Sequence, residues 1–375
     1  MTFLRWLYPR LMTSIVALAI SVVALEIGTR VINAFDQNYL DKLDDRHPVD
    51  TEHLALVDLI RVNPDDLIVY DLRPGVRGRF QGQSVSINSL GFRDKERSNT
   101  KKPGTFRIVG LGDSHMFGWG VAQDQTFVAV LERLLGERSP SSDFEVWDTA
   151  VPGYNTVQEV EVFARRADEW MPDLVVINYV DNDMDLPNFL AERPNLWTVR
   201  RSFLKELVDR RRFSSRGEPK APIRLYGTLP DQTGRFLFDI RQVPERYRPL
   251  AGWDRMVGAF DRLAALCKQR GIRPVLLINT DDYTNRLEGR TPDIRPGPTR
   301  ELAAHCANEG YLVVDPQDRI TAYLQEHHLD TTAVWLSAQD PHTNELRHRL
   351  VAEELLERLE ESHLVTPPVA NARAN

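Results

Sequence analysis

The sequence predicts an α/β protein, a three-layer α/β/α sandwich around a central parallel sheet, preceded by a transmembrane helix. Three observations carry this prediction. From Phe106 onward, short β-branched runs alternate with amphipathic segments of helical length. Near the N-terminus, Leu11 to Leu25 form an apolar run without a charge. The first regular strand ends in a glycine turn, "GLGDSHMFGWG" at residues 110–120. Active sites of open parallel sheets form at such carboxyl ends.

The elements follow in chain order. "MTFLRWLYPR" supplies Arg5 and Arg10, and the 15 uncharged residues after it fall short of the ~20 that span a bilayer. Counting on to Phe35 gives enough length, with Arg30 free to snorkel and Glu26 as the awkward member. A cleaved signal peptide is the rival reading, yet no small-x-small cleavage site follows the apolar run, and the Ala-x-Ala of Ala17 and Ala19 lies inside it. We read residues 1–35 as a cytoplasmic n-region and an uncleaved anchor in the cell inner membrane. Arg5 and Arg10 precede the span, which places the bulk of the chain on the periplasmic side.

Residues 36–105 are polar and mixed, with strand-like "LIVYD" and "VSINS" around a turn-rich "LRPGVRG". They read as a lead-in that packs on the main domain. That domain, 106–363, opens with "FRIVGLG" (strand), "QTFVAVLERLLGE" (helix), "FEVWDTA" (strand), "TVQEVEVFARRADEW" (helix) and "DLVVINYV" (strand). It resumes with "WDRMVGAFDRLAALCKQRG", "RPVLLIN", "TRELAAHCANEG", "YLVVD" and "ELRHRLVAEELLERLEE", again helix and strand by turns. An arginine-rich insertion at about 186–250 breaks the rhythm. It is either a cap or a contact with anionic lipid or polymer, or else a solvated loop. The tail, 364–375, is expected to be disordered.

Composition narrows the function. A net charge of −7 over 375 residues argues against nucleic acid as a partner, since phosphate binding needs a basic face. Two cysteines exclude a disulfide scaffold and a cysteine-rich zinc site. Cys267 and Cys306 each close a helical pattern, and read as buried thiols or as one disulfide.

The glycine turn lacks the lysine of a Walker loop and the register of G-x-G-x-x-G, so it is not a phosphate cradle. A serine, Ser114, stands at its apex, where a tight strand-to-helix turn presents a nucleophile beside free N–H groups. Met116 stands where the G-x-S-x-G elbow would need its second glycine. Asp181, Asp183 and Asp185 alternate like a calcium loop, but Leu186 replaces the required glycine, and no metal is expected.

"GLGDSHMFGWGV" resembles block I of the GDSL/SGNH hydrolase family. In order after it, "DTAVPGYNT" resembles block II, "YVDNDMD" block III and "DPHTNELRHRLVAEEL" block V. "INSLGFRDKE" and the anchor resemble members with a single N-terminal membrane helix. The resemblance implies a flavodoxin-like fold and a serine esterase or acyl hydrolase without a cofactor. It makes Ser114 the nucleophile, His342 the base and Asp340 the group that orients it. It assigns the oxyanion hole to the Ser114 N–H, the Gly153 N–H and the Asn182 amide. Three positions depart from the family pattern. His115 replaces the usual leucine, as a second polar group or an exposed passenger, Val180 replaces a glycine, and Asp340 precedes His342 by two residues rather than three. The expected activity is hydrolysis of acyl esters of a glycan or lipid outside the cytoplasm. An O-acyltransferase of an envelope polysaccharide and a non-catalytic envelope assembly protein are the alternatives.

Overall fold

A computed structural model describes residues 2–35, 52–187, 202, 204–205, 229–230, 236–237, 245–280, 297–338 and 340–365. Most of the insertion and residues 366–375 of the tail lie outside these. The chain divides into two compact units, Met1–His47 with Ala191–Ile223, and Pro48–Leu190 with Arg224–Asn375.

In the first unit a helix, α1, runs over Thr2–Phe35. Its Tyr8–Val31 segment is 24 residues long with mean hydropathy 2.1, long and apolar enough to cross a membrane or to serve as a signal sequence. Glu26 is paired along the helix with Arg30 at 2.8 Å and accepts hydrogen bonds from the Leu204 N–H and the Ser202 hydroxyl. A carboxylate in an apolar helix is thereby given partners.

The second unit is built on strands β1 (Thr105–Leu111), β2 (Asp143–Asp148), β3 (Leu174–Tyr179), β4 (Arg273–Ile278) and β5 (Leu312–Val314). All are parallel, in the order β5-β4-β3-β1-β2. This is the doubly wound, flavodoxin-like order. The strands read as unbroken apolar runs because alternate side chains go to opposite faces, and both faces are covered. Ile108, Val176, Val275 and Leu277 join one core cluster, whereas Val109, Val175, Ile177 and Leu276 join the other. Helices α2 (Phe127–Arg138) and α7 (Glu345–Glu361) cover the first face. Helices α3 (Thr156–Trp170), α4 (Trp253–Arg270) and α5 (Gly297–Asn308) cover the second. A further helix, α6 (Gln317–Glu326), for which no pattern was read in the sequence, buries Ile320 and Leu324 against Val334 and Leu350.

The lead-in is part of this core. Leu59, Ile60, Tyr70, Leu72 and Ile87 pack in the same cluster as Ile108 and Phe117. Arg93, 2% exposed, donates to the carbonyls of Phe117, Gly118 and Val121, the turn that follows Ser114. Burial lowers its guanidinium pKa to about 10, with Asp148 opposing, so it stays charged at neutral pH. At the other end, Val365 is buried in this cluster, so the chain remains packed one residue past the expected start of the tail.

Candidate active site

β1 delivers Ser114 to the carboxyl edge of the sheet. After Gly112 the chain turns into one helical turn, Ser114–Phe117, whose Asp113 cap accepts from the His115 N–H at 2.9 Å. Ser114 is 9% exposed, and its Oγ lies 2.9 Å from Nε2 of His342, 228 positions away. The ring's other nitrogen, Nδ1, is 2.6 Å from Oδ1 of Asp340, which also accepts the His342 N–H at 3.1 Å. Burial pushes the Asp340 carboxyl up, but the hydrogen bonds from the His342 ring and backbone outweigh it and hold its pKa below the ordinary carboxylate value.

Asp340 and His342 do not sit on a loop. They belong to a short strand, Asp340–Thr343, paired antiparallel with Trp335–Ser337. Asn344 fixes this hairpin to α7: its Oδ1 caps the helix at Arg347, and its amide donates to the carbonyls of Ala333 and Trp335. Gly120, at φ +71°, lies so close beneath that an added Cβ would collide with Leu336. The Ser114 turn and the His342 hairpin therefore pack directly together.

Two aromatic rings lie against His342. Trp119 stacks on it with centroids 4.9 Å apart, and His115 with centroids 5.1 Å apart. His115 is thus a neighbour of the site, not an exposed passenger. The sequence holds both inside "GLGDSHMFGWG", but nothing in their spacing shows which way they point.

The loops after β2 and β3 flank the serine turn. The first is pinned to it by the Val151 N–H, which donates to the Gly112 carbonyl at 3.0 Å. Gly153 is buried at φ +79°, a conformation that glycine adopts without strain. Asn182 is exposed in the turn after β3, and that turn is tied to the start of α3 twice. The Thr156 hydroxyl donates to Asp183 at 3.1 Å, and the Asn155 amide to the Asp185 carbonyl at 2.7 Å. Ser114, Gly153 and Asn182 thus stand on three adjoining loops at one sheet edge.

Behind these loops Asp113, Glu159 and Asp183 are buried. Burial raises all three pKa values; the charges of Asp183 and Asp113 raise that of Glu159 further, and the charge of Asp113 raises that of Asp183. Among the described residues, no group of three or more His, Cys, Asp or Glu side chains could hold a metal ion. Asp183 is committed to Thr156 and to the Val180 N–H.

A serine hydroxyl thus lies against an imidazole at the carboxyl edge of a parallel sheet, and the match to a family model defines the class: an ester hydrolase. The chain belongs to the GDSL-like lipase/acylhydrolase family, whose model matches residues 111–350. Comparison with curated proteins gives no match. Among solved structures the chain is similar to LAE5, an alpha/beta hydrolase enzyme from the metagenome of Lake Arreo, Spain, at 15% identity and TM-score 0.41 over 70% of this chain and 98% of that one. It is also similar to a two-domain esterase active on acetylated mannans (13%, TM-score 0.39, 72% of this chain and 53% of that one). A mutant of Axe2, an acetyl-xylooligosaccharide esterase from Geobacillus Stearmophilus, aligns at 14% with TM-score 0.39 over 68% of this chain and 94% of that one. The family model carries the assignment, not these alignments.

Proposed function

We propose that the protein is a membrane-anchored serine esterase acting on the extracytoplasmic side, with Ser114, His342 and Asp340 as its triad. The observation that carries this reading is the unbroken chain from Ser114 Oγ through His342 to Asp340, at 2.9 and 2.6 Å. Nε2 of His342 takes the serine proton as Oγ bonds to the acyl carbon, and returns it to the departing alcohol. Water, deprotonated by the same nitrogen, then cleaves the acyl-enzyme and restores the serine. The negative oxygen formed in each step is stabilised by the N–H groups of Ser114 and Gly153 and the Asn182 amide.

The substrate is an acyl ester of a glycan or lipid, and the apolar N-terminal helix supports a place at the membrane, with Arg5 and Arg10 on the cytoplasmic side. The test is turnover of p-nitrophenyl esters of graded length, with and without a glycan acceptor, alongside fluorophosphonate labelling. Esterase activity with labelling lost in Ser114→Ala is the expected result. Acyl groups appearing on the acceptor in place of free acid would reassign the protein to acyl transfer, and labelling that survives Ser114→Ala would overturn the nucleophile.

A further inference from the structure

The lead-in reaches the site at a second point besides Arg93. The Tyr70 hydroxyl donates to the carbonyl of Pro152 at 3.1 Å. That carbonyl belongs to the same peptide unit as the Gly153 N–H. In a planar trans peptide the C=O and N–H point in opposite directions, so a donor that holds the oxygen from behind fixes where the hydrogen aims. It also polarises the amide and strengthens the N–H as a donor.

We propose that Tyr70 is a positioning residue of the oxyanion pocket: its hydroxyl holds the Pro152–Gly153 peptide so that the Gly153 N–H faces the reacting oxygen. This rests on the reading of Gly153 and Asn182 as oxyanion donors. Gly153 needs such a restraint, because a glycine at φ +79° is free to rotate its flanking peptides to other conformations. The phenol is itself rigidly held. Tyr70 is 2% exposed, its ring meets Tyr154 edge-on with centroids 5.1 Å apart, and its carbonyl accepts the Tyr154 hydroxyl. Burial, and then the charge of Asp113, raise its pKa well above the ordinary value, so the hydroxyl keeps its proton for the bond. The Gln158 amide donates to the Ile68 carbonyl at 2.6 Å and locks the turn just before Tyr70 to α3. Tyr70 lies outside residues 111–350, so a segment upstream of the family domain aims one of that domain's own donors.

Tyr70→Phe removes one oxygen and leaves the packing in place. In the full-length protein kcat should fall roughly ten- to a hundredfold, most of the effect of one lost oxyanion donor. KM should stay within about twofold, since the bond acts on the tetrahedral oxygen and not on the bound ester. Inhibition by an alkylboronic acid, whose adduct on Ser114 places a negative oxygen in the pocket, should weaken by a factor similar to the fall in kcat. A purely structural hydroxyl would lower the unfolding temperature and leave kcat and the boronic acid untouched, and that result overturns the proposal. So does a change confined to KM. Asn182→Ala, measured in parallel, separates the two layers of the argument. If it loses kcat while Tyr70→Phe does not, Tyr70 alone is misassigned; if it keeps wild-type kcat, the pocket itself is misplaced and the proposal falls with it.

Discussion

Trp119 lies flat against His342, with ring centroids 4.9 Å apart and planes inclined by only 13°. In the proposed cycle the imidazole keeps Nε2 aimed at Ser114 while its charge changes, and a parallel indole restricts its rotation while tolerating the imidazolium. Contacts of this kind contribute ~0.5–1.5 kcal/mol, which corresponds to as much as about tenfold in rate. Trp119→Ala should therefore lower kcat by several-fold to tenfold, and Trp119→Phe should recover most of it. A wild-type kcat in Trp119→Ala would show that the indole is not needed to hold the ring.

The triad variants should rank in a fixed order. Ser114→Ala and His342→Ala lose the nucleophile and the base, and turnover should fall to background. Asp340→Asn keeps an oxygen near Nδ1 but forfeits the charge that stabilises the imidazolium, a change that costs up to ~10⁴ in kcat where no other group substitutes. The backbone bond from the His342 N–H to the same carboxyl remains available to an amide oxygen, so the loss here should be smaller than for Ser114→Ala. Asp181→Asn, on an exposed side chain in the Asn182 turn, should be near wild type. Steady-state kinetics on a p-nitrophenyl ester decides the order, and equal losses in Asp340→Asn and Asp181→Asn would remove Asp340 from the triad.

His348 makes stability depend on pH. Burial, with nearby His115, Arg93 and Arg347 adding to it, lowers its pKa to about 3. The neutral ring accepts the Phe127 N–H at Nδ1, at 3.0 Å, and reaches the Thr343 hydroxyl from Nε2, at 3.1 Å. Below pH ~6.5 the unfolded chain takes up a proton that the folded chain refuses, down to about pH 3, so this group's contribution falls as pH falls through that window. The loss approaches ~1.4 kcal/mol per pH unit. His348→Asn keeps an acceptor for Phe127 but does not titrate. Urea unfolding at pH 7 and pH 5 should therefore show a shallower acid loss in the variant than in the wild type. Parallel slopes would mean that His348 is already protonated in the folded protein.

Truncation separates the helix from the lead-in. A chain beginning at residue 52 keeps Tyr70, Arg93 and every core residue of the second unit, and should hydrolyse soluble esters like the full-length protein. A chain beginning at residue 105 loses Leu59, Ile60, Leu72 and Ile87 from the core as well as Tyr70 and Arg93, and should fail to yield active protein. Activity in the shorter chain would show that the lead-in is dispensable.

Cys267 and Cys306 are free and fully buried, and desolvation pushes both thiols up to about 12. Neither should react with a thiol reagent at pH 8 until the protein is unfolded, after which two thiols should titrate. Rapid labelling of the native protein would contradict their burial.

What the sequence by itself determined is local. Strands β1 to β5 and the helices between them were legible because apolar periodicity acts over a few residues, and α3 was read at its observed ends, Thr156 and Trp170. The parallel sheet followed from the alternation, and short ordered motifs nominated Ser114, Gly153, Asn182 and His342 as the proposed site. What only the tertiary structure decided is how distant segments meet. No periodicity links Ser114 to a histidine 228 positions away, or shows that Asp340–Thr343 is a strand rather than a loop. Nor does it show that Trp119 and His115 turn toward that histidine, or that Tyr70 and Arg93 reach past the start of the domain to the loops that carry Gly153 and Ser114. Those contacts arise from packing across layers, where a residue's role is set by what the folded chain brings beside it and not by its neighbours in sequence.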